Sequence, residues 1–258
     1  MKGSPNFPAQ TAAIAIICKT PAPGASKTRL ISVLGPERAA ELAGCFLRDI
    51  AVTIAELAPA AACRGYAVYA PEGSEETLRS FLPSDFGLLC RRDATLGVVL
   101  DGASAHLLAS GQDCVVLVNA DSPTLPAFLL QEAISLLRQP GHRVVLSPAI
   151  DGGYYLIGLK HPCKTLFTDI PWSTPVVYQT TLTRAAEAGL SVASLAPWYD
   201  VDEVPTLALL LAELSGKGVG FDPGGLVGNE PASTRAFFDR HSDVAREIEV
   251  RYSPVGLP

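Results

Sequence analysis

The sequence predicts an α/β domain whose sheet is built mainly from parallel strands, and two features of its pattern point to this class. Apolar runs such as residues 115–118 have no polar alternation, which is typical of strands buried on both faces. The order strand, loop, helix also recurs along the chain. Such alternation implies parallel pairing through right-handed crossovers.

The strands are predicted from apolar runs and the helices from apolar residues at helical spacing. The predicted strands are 12–19, 64–71, 115–118, 143–150, 154–159 and 191–197. The predicted helices are 35–57, 75–82, 96–110, 126–139, 174–190 and 204–214. Pro36 suits the first turn of the first helix, and Gly189 suits the end of the fifth. The turn at 151–153 predicts a hairpin between the fourth and fifth strands.

The regular pattern stops at Ser215, so the predicted domain covers residues 1–214. The Gly-rich stretch after Ser215 is interpreted as a linker, and residues 231–250 are predicted to form one amphipathic helix. The extension 215–258 is interpreted as a dimerisation element or a cover for the site.

The composition limits the class of protein. The chain has 258 residues, 48% of them hydrophobic, and a mean hydropathy of +0.26, which suits a large buried core. It contains no membrane-length apolar run and no signal-peptide pattern, so we expect a soluble, cytoplasmic protein. Six scattered cysteines predict buried free thiols. A net charge of -6 argues against binding to nucleic acid or to anionic membranes, so an anionic ligand needs a local group of cations.

Asp121 follows the most apolar predicted strand. In parallel α/β sheets, ligands bind outside the carboxyl ends of the strands, so this carboxylate suits a metal or phosphate site. The alternative is that Asp121 caps the following turn, since Asp before Ser-Pro is common in turns.

The loop after the first predicted strand carries three cations, Lys19, Lys27 and Arg29, around Gly24. Cations and free backbone N–H groups at one turn suit a polyphosphate. The loop is not a P-loop, because it lacks the glycines of that motif. The alternative is a solvated loop whose cations face water.

Asp200 and Asp202 lie on the same side of an extended segment. Such oxygen ligands suit Mg²⁺ or Mn²⁺, which bind through one or two carboxylates together with phosphate oxygens. The alternative for Asp202 is that it caps the helix that follows. Gly152 and Gly153, after Asp151, permit a close backbone approach to a ligand or simply form a turn between strands.

Five segments together resemble, in order and spacing, the DUF2064 family of GT-A-type proteins, often labelled glycosyltransferases or nucleotide-diphospho-sugar transferases. The resemblance covers about residues 12–214. It is more distant to phospholactate guanylyltransferases and molybdenum-cofactor nucleotidyltransferases. The segments are PGASKTRL (23–30), NADSP (119–123), PAIDGGYYLIGL (148–159), IPWST (170–174) and DVD (200–202).

The resemblance implies a Rossmann-like GT-A fold, a three-layer α/β/α sandwich with a mostly parallel mixed sheet. It implies nucleotide binding by Lys19, Pro23, Gly24, Lys27, Thr28 and Arg29. It implies Mg²⁺ or Mn²⁺ binding by Asp121, Asp200 and Asp202. It implies acceptor binding by Gly152, Gly153, Trp172 and Ser173. The residues implied in catalysis are Asp121, Asp151 and Lys27.

The chain departs from the family pattern at two places. Asn119 and Ala120 stand where a Gly-Thr or Gly-Ser pair is usual, and Val98 and Val99 replace a charged Glu-Arg pair. The expected activity is metal-dependent transfer from a nucleotide sugar or nucleoside triphosphate to a small-molecule acceptor, with glycosyl transfer first. Nucleotidyl transfer with release of pyrophosphate is the alternative, and a catalytically silent nucleotide-binding protein is a second one. A homodimer is compatible with either activity.

Overall fold

A computed structural model describes residues 11–92, 95–221 and 224–252, and the strands in these ranges form one mixed sheet. The strand order is β3-β2-β1-β4-β6-β5-β7, with β6 antiparallel to both of its neighbours and every other pair parallel. The strands are β1 (Ala12–Lys19), β2 (Cys63–Ala70), β3 (Gly87–Cys90), β4 (Val115–Asn119), β5 (Arg143–Pro148), β6 (Tyr154–Leu159) and β7 (Ser191–Ser194).

Helices cover both faces of the sheet. They are α1 (Ile31–Leu34), α2 (Pro36–Ala61), α3 (Glu75–Arg79), α4 (Leu96–Ala109), α5 (Ala127–Arg138), α6 (Val177–Glu187), α7 (Val204–Leu214), α8 (Ala232–Arg240) and α9 (Ser242–Arg251). In β1, Ile14 and Ile16 contribute to the core under α2, α5 and α7, whereas Ala13 and Ala15 contribute to the core under α4 and α6. The predicted three-layer α/β/α sandwich with a mostly parallel mixed sheet is confirmed. No helix in the described ranges is long and apolar enough to span a bilayer.

Every predicted strand is present, and the predicted hairpin is the antiparallel pair β5 and β6. The prediction missed β3, a strand of four half-buried residues that pairs with the edge of β2. The prediction of one helix over 231–250 is wrong, because the helix breaks at His241. The ring of His241 packs on Phe237 at 4.6 Å, and its Nε2 lies 3.3 Å from Glu41 on α2. These contacts turn the chain so that both short helices reach the core.

The carboxyl ends of β1, β4, β5 and β7 meet at one edge of the sheet, since these strands all run in the same direction. The antiparallel β6 begins at the same edge. The loops that follow these four strands carry the predicted site residues 19–29, 121, 151–153 and 200–202. The fold therefore brings distant parts of the sequence to one edge of the sheet, where parallel α/β sheets generally bind their ligands.

The cysteines are unpaired thiols. All six are free; Cys18, Cys45, Cys63 and Cys114 are buried as predicted, and the other two are half-buried. Burial raises the pKa of Cys18 to about 12 and that of Cys45 to about 11. These two thiols therefore stay protonated at neutral pH and are poor nucleophiles.

The segment after α7 is attached to α2 through a buried carboxylate. Asp49 Oδ1 accepts the Ser233 N–H at 2.8 Å, and Oδ2 accepts the N–H and the hydroxyl of Thr234 at 2.8 and 2.6 Å. The carboxylate thus caps the N-terminus of α8 from a different helix, where a negative charge is stabilising. Asn229 adds a hydrogen bond from its Nδ2 to Thr53 Oγ1 at 3.1 Å. A separate C-terminal extension stays a prediction.

We expect Asp49→Ala to lower the free energy of unfolding by about 2–3 kcal/mol, because it leaves two N–H groups at a buried helix end without an acceptor. Glu56→Ala, at an exposed position of the same helix, is the matched control and should change stability by less than about 0.5 kcal/mol. Urea unfolding followed by circular dichroism measures both. Equal stabilities of the two variants would contradict the capping role of Asp49.

Candidate functional site

The loop after β1 is a tight turn that leads into a buried lysine. Ala22 O accepts the N–H of Ser26 at 3.1 Å, and Ser26 Oγ accepts the N–H of Ala22 at 3.0 Å. At the exposed tip, Pro23 precedes Gly24, whose φ of 74° suits glycine. Lys27 is also left-handed, with φ 47° and ψ 45°, an uncommon conformation for a residue with a side chain.

The side chain of Lys27 connects this loop to two aspartates. Its Nζ lies 2.5 Å from Asp121 Oδ1 and 2.8 Å from Asp202 Oδ1, and the side chain is only 5% exposed. The ammonium also lies 5.5 Å from the ring centre of Phe46. Burial by itself would lower the pKa of Lys27, but the charges of Asp121 and then Asp202, with the hydrogen bonds they accept, raise it above its ordinary value. Lys27 is therefore a buried, charged ammonium.

The other two cations of the loop do not contact these aspartates. Arg29 lies in a short 3₁₀ helix that begins at Thr28. Its Nη1 is 3.0 Å from Glu203 Oε1, and both side chains are more than half exposed. An exposed pair of this kind contributes little stability. Lys19 is exposed and makes no ion pair with any described residue. Lys19 and Arg29 thus border the crevice on its solvent side.

Negative charge at this edge exceeds the charge of Lys27. The pKa of Asp200 is raised to about 7, first by burial and then by the charges of Asp151, Asp202 and Asp121, with Lys27 acting in the opposite direction. Asp200 is therefore affected by the charges of three other carboxylates and of one ammonium. This is the arrangement that a further cation would relieve.

The structure bears on the capping alternatives for two aspartates. The N-cap of α7 is Glu203, whose N–H donates to Thr206 Oγ1 at 3.3 Å, so the reading of Asp202 as that cap is wrong. At the end of β4, Asn119 Oδ1 accepts the N–H of Asp121 at 3.3 Å. Asn119 therefore supports this turn, and the carboxylate of Asp121 is left to bind Lys27.

The turn after β5 is held by hydrogen bonds and by close packing against the segment before α6. The N–H of Gly153 donates to Asp151 Oδ1 at 2.8 Å, and Gly152 has φ 90°. A Cβ atom on Gly152 would lie 2.1 Å from the carbonyl oxygen of Pro175. Tyr178 also donates its N–H to the carbonyl of Gly152 at 3.0 Å. The turn therefore fits closely against the segment between Ser173 and α6.

Trp172 packs between the start of β6 and the start of α4. Its ring meets that of Tyr154 edge-on at 6.2 Å, and its Nε1 lies 3.2 Å from where a Cβ of Gly97 would be. The next residue, Ser173, is exposed and left-handed with φ 63°. The sequence reasoning assigned no role to Gly97 or Tyr154, although a glycine inside a helical pattern is a recognisable sign of close packing. Val98, which departs from the family pattern, is the next residue after Gly97.

The donor atoms suit a divalent cation, but the described residues do not display a complete set of ligands. Within those ranges, no group of three or more His, Cys, Asp or Glu side chains is placed to hold a metal ion. Asp121 and Asp202 nevertheless direct one oxygen each at a single positive charge. Carboxylate oxygens are the ligands that Mg²⁺ and Mn²⁺ prefer. The predicted set of Asp121, Asp200 and Asp202 stays a prediction.

Comparison with known proteins gives one family and one near structural relative. Residues 53–174 match the family described as an uncharacterized protein conserved in bacteria, DUF2064. The crystal structure of a protein provisionally described as a nucleotide-diphospho-sugar transferase, from Desulfovibrio desulfuricans G20, is 30% identical, with a TM-score of 0.79. The alignment covers 93% of this chain and 98% of that one. Among curated proteins, none matches the chain.

A more distant solved structure shares the fold alone. It is CMP:2-keto-3-deoxy-manno-octonic acid synthetase in complex with CTP, which is 11% identical with a TM-score of 0.52. The alignment covers 81% of this chain and all of that one.

We expect Gly152→Ala to destabilise the protein by more than about 2 kcal/mol, since a side chain at positive φ costs about 1–2 kcal/mol and the new Cβ would also collide with backbone. Gly111→Ala is the control, because Gly111 has a similar φ of 95° with open space around it. Chemical unfolding of both variants tests the difference. A cost at Gly152 no larger than that at Gly111 would show that the contact with Pro175 is not a constraint.

Proposed function

Because this chain belongs to the DUF2064 family, we propose that it is a metal-dependent transferase that takes a nucleotide-activated donor and passes a glycosyl group to a small-molecule acceptor. The observation that carries the proposal is the buried Lys27 ammonium between Asp121 and Asp202, beside a cation-bearing loop. Phosphate-binding and cation-binding groups then lie at one crevice. A nucleotide diphosphate with a divalent cation needs both.

The donor phosphates are assigned to the loop after β1. Lys19 and Arg29 are exposed there, and Lys27 lies at the inner end of the same loop. The backbone around Gly24 is open, because nothing lies within 4 Å of the Cβ position of that residue. Charge-assisted hydrogen bonds from such groups are the strong ones in phosphate binding. Pro23 and Thr28, both exposed, complete the proposed contact surface.

The divalent cation is assigned to Asp121 and Asp202, with Asp200 as the third carboxylate. When bound, Mg²⁺ or Mn²⁺ supplies positive charge to the phosphate oxygens of the leaving group. The contacts of Asp121 and Asp202 with one ammonium support the assignment, since they show that both carboxylates already face a positive charge. The chain's own part is to fix these carboxylates at the ends of β4 and β7.

The acceptor side is assigned to the turn after β5 and the loop at Trp172. The acceptor hydroxyl oxygen forms a bond to the anomeric carbon of the donor sugar while the bond from that carbon to the diphosphate breaks. The nucleoside diphosphate leaves with the bonding electron pair, and Asp151 accepts the hydroxyl proton. Asp151 is exposed at this edge and influences the pKa of Asp200, so it lies near the proposed cation site. Gly152, Gly153 and Ser173 would shape the surface around the acceptor.

Nucleotidyl transfer is the second candidate, and the three cations of the first loop favour it, because a triphosphate carries more charge than a diphosphate. In that reaction an acceptor phosphate attacks the α-phosphate and pyrophosphate leaves. The synthetase that shares this fold was solved with CTP, so the fold accommodates a triphosphate.

The deciding experiment is calorimetric binding of nucleotide sugars and nucleoside triphosphates with Mn²⁺ and with chelator, followed by product analysis of the ligands that bind. Release of a nucleoside diphosphate supports glycosyl transfer, and release of pyrophosphate supports the second candidate. Absence of both binding and turnover would leave a catalytically silent protein and overturn both candidates.

We expect Asp121→Ala to abolish the part of nucleotide binding that depends on the divalent cation, because it removes a carboxylate that faces the proposed cation position. Titration of the nucleotide with and without Mn²⁺ measures this part. Asp239→Ala, at an exposed position of α8, is the control for a lost carboxylate and should bind as the wild type does. Unchanged metal-dependent binding in Asp121→Ala would remove Asp121 from the cation site.

We expect Asp151→Asn to lower kcat by about 10²-fold or more while the dissociation constant of the donor stays unchanged. The amide oxygen can still accept the N–H of Gly153, so the turn keeps its hydrogen bond and only the proton acceptor is lost. Steady-state kinetics and donor titration separate the two effects. Wild-type kcat in this variant would exclude Asp151 as the base.

A further inference from the structure

Lys27 occupies the position that the proposed metal needs. Its Nζ lies between Asp121 Oδ1 and Asp202 Oδ1, at 2.5 and 2.8 Å, so both oxygens already bind one positive charge. These two side chains are 35% and 46% exposed, whereas that of Lys27 is 5% exposed. Solvent and ions therefore reach the carboxylates from outside, and the ammonium contacts them from inside.

The ammonium and a divalent cation cannot share these two oxygens. Two cations a few ångströms apart in a partly buried site repel strongly, since effective dielectric constants there are far below that of water. A lysine ammonium is strongly hydrated in water, so burying that of Lys27 without its aspartates would be costly. Lys27 must therefore have another partner before a cation replaces it.

The proposed phosphate position would provide such a partner within the same loop. Lys27 lies three residues after Gly24, and its side chain is a flexible four-carbon stem. Phosphates bound along the loop would be negative groups beside the root of this side chain. A change of rotamer could move the ammonium from carboxylates to phosphate without exposing an unpaired charge.

We propose that Lys27 is an internal counter-ion that closes the Asp121 and Asp202 pair until donor phosphates attract it, so that the divalent cation binds together with the nucleotide and only weakly before it. This inference rests on the proposed function, because the exchange needs a phosphate-bearing donor in the loop. It assigns Lys27 a role in the order of binding in addition to phosphate contact. The preferred donor is then the metal-chelated form of the nucleotide.

Binding of Mn²⁺ alone, followed by the electron paramagnetic resonance signal of the free ion, tests the counter-ion. We expect weak binding in the wild type and about tenfold tighter or better binding in Lys27→Met, since the aspartates lose their competitor. Lys27→Arg keeps the charge and should bind Mn²⁺ weakly. Lys19→Met removes a positive charge from the same loop, but Lys19 makes no ion pair with the two aspartates. This variant therefore measures the long-range effect of a lost charge on Mn²⁺ binding. Mn²⁺ affinity in Lys27→Met no greater than in Lys19→Met would overturn the inference.

Folding of each variant is checked by circular dichroism and urea unfolding, and Lys27→Gln, which keeps a polar side chain, replaces Lys27→Met if the latter does not fold. The same Mn²⁺ titration with UDP or CTP present then tests the exchange. The measured quantity is the ratio of the Mn²⁺ affinities with and without nucleotide. We expect this ratio to be at least threefold larger in the wild type than in Lys27→Met.

The outcomes separate the two proposals. One outcome is that the wild type binds nucleotide while nucleotide tightens Mn²⁺ binding equally in the wild type and in Lys27→Met. That result would overturn the exchange and leave the proposed function standing. Failure of every nucleotide to bind the wild type would overturn the exchange and the proposed function together, even if Lys27→Met binds Mn²⁺ tightly.

Discussion

The ion contacts of Lys27 with Asp121 and Asp202 connect three parts of the chain that only the fold brings together. The lysine follows β1, and the aspartates follow β4 and β7. Parallel strands concentrate loop carboxylates at one edge, where their mutual repulsion must be offset. The pKa of Asp200 is raised to about 7, first by burial and then by the charges of Asp151, Asp202 and Asp121, which raise it further than Lys27 lowers it. The proposed cation site at this edge therefore rests on its topology and its charge balance.

Different interactions hold the two sides of the proposed site, the side near Lys27 and the side near Trp172. The side near Lys27 is held by charge, and in our proposal its pairing changes when a cation and a phosphate bind. The side near Trp172 is held by packing, because a Cβ on Gly152 would lie 2.1 Å from the carbonyl oxygen of Pro175, and one on Gly97 would lie 2.5 Å from that of Phe167 and 3.2 Å from the indole nitrogen. Close packing resists deformation. A rigid acceptor side next to an exchangeable donor side suits a transferase that must hold one substrate while releasing another.

Most of the fold, and the meeting of the site residues, could be predicted from sequence. Apolar runs located the buried strands, and the carboxyl-end rule brought Lys27 and Asp121 to one edge. The short β3 was missed because its apolar run, Gly87–Cys90, has only four residues and is only half-buried. The break at His241 depends on contacts with a distant helix. Lys27 points inward from a left-handed backbone conformation, which neither spacing nor composition encodes. The aspartates that it contacts could therefore be identified only from the structure.

The charge balance also explains why cations and carboxylates coexist in one crevice. A polyphosphate without a cation would face the excess negative charge around Asp200, and a divalent cation without phosphate would face the buried ammonium of Lys27. Each ligand alone is opposed by one half of the site. A cation chelated by phosphate satisfies both halves, because its positive charge meets the aspartates and its phosphate oxygens meet the lysine. The proposed site would therefore be electrostatically complementary to a metal–nucleotide complex, and less so to either component by itself.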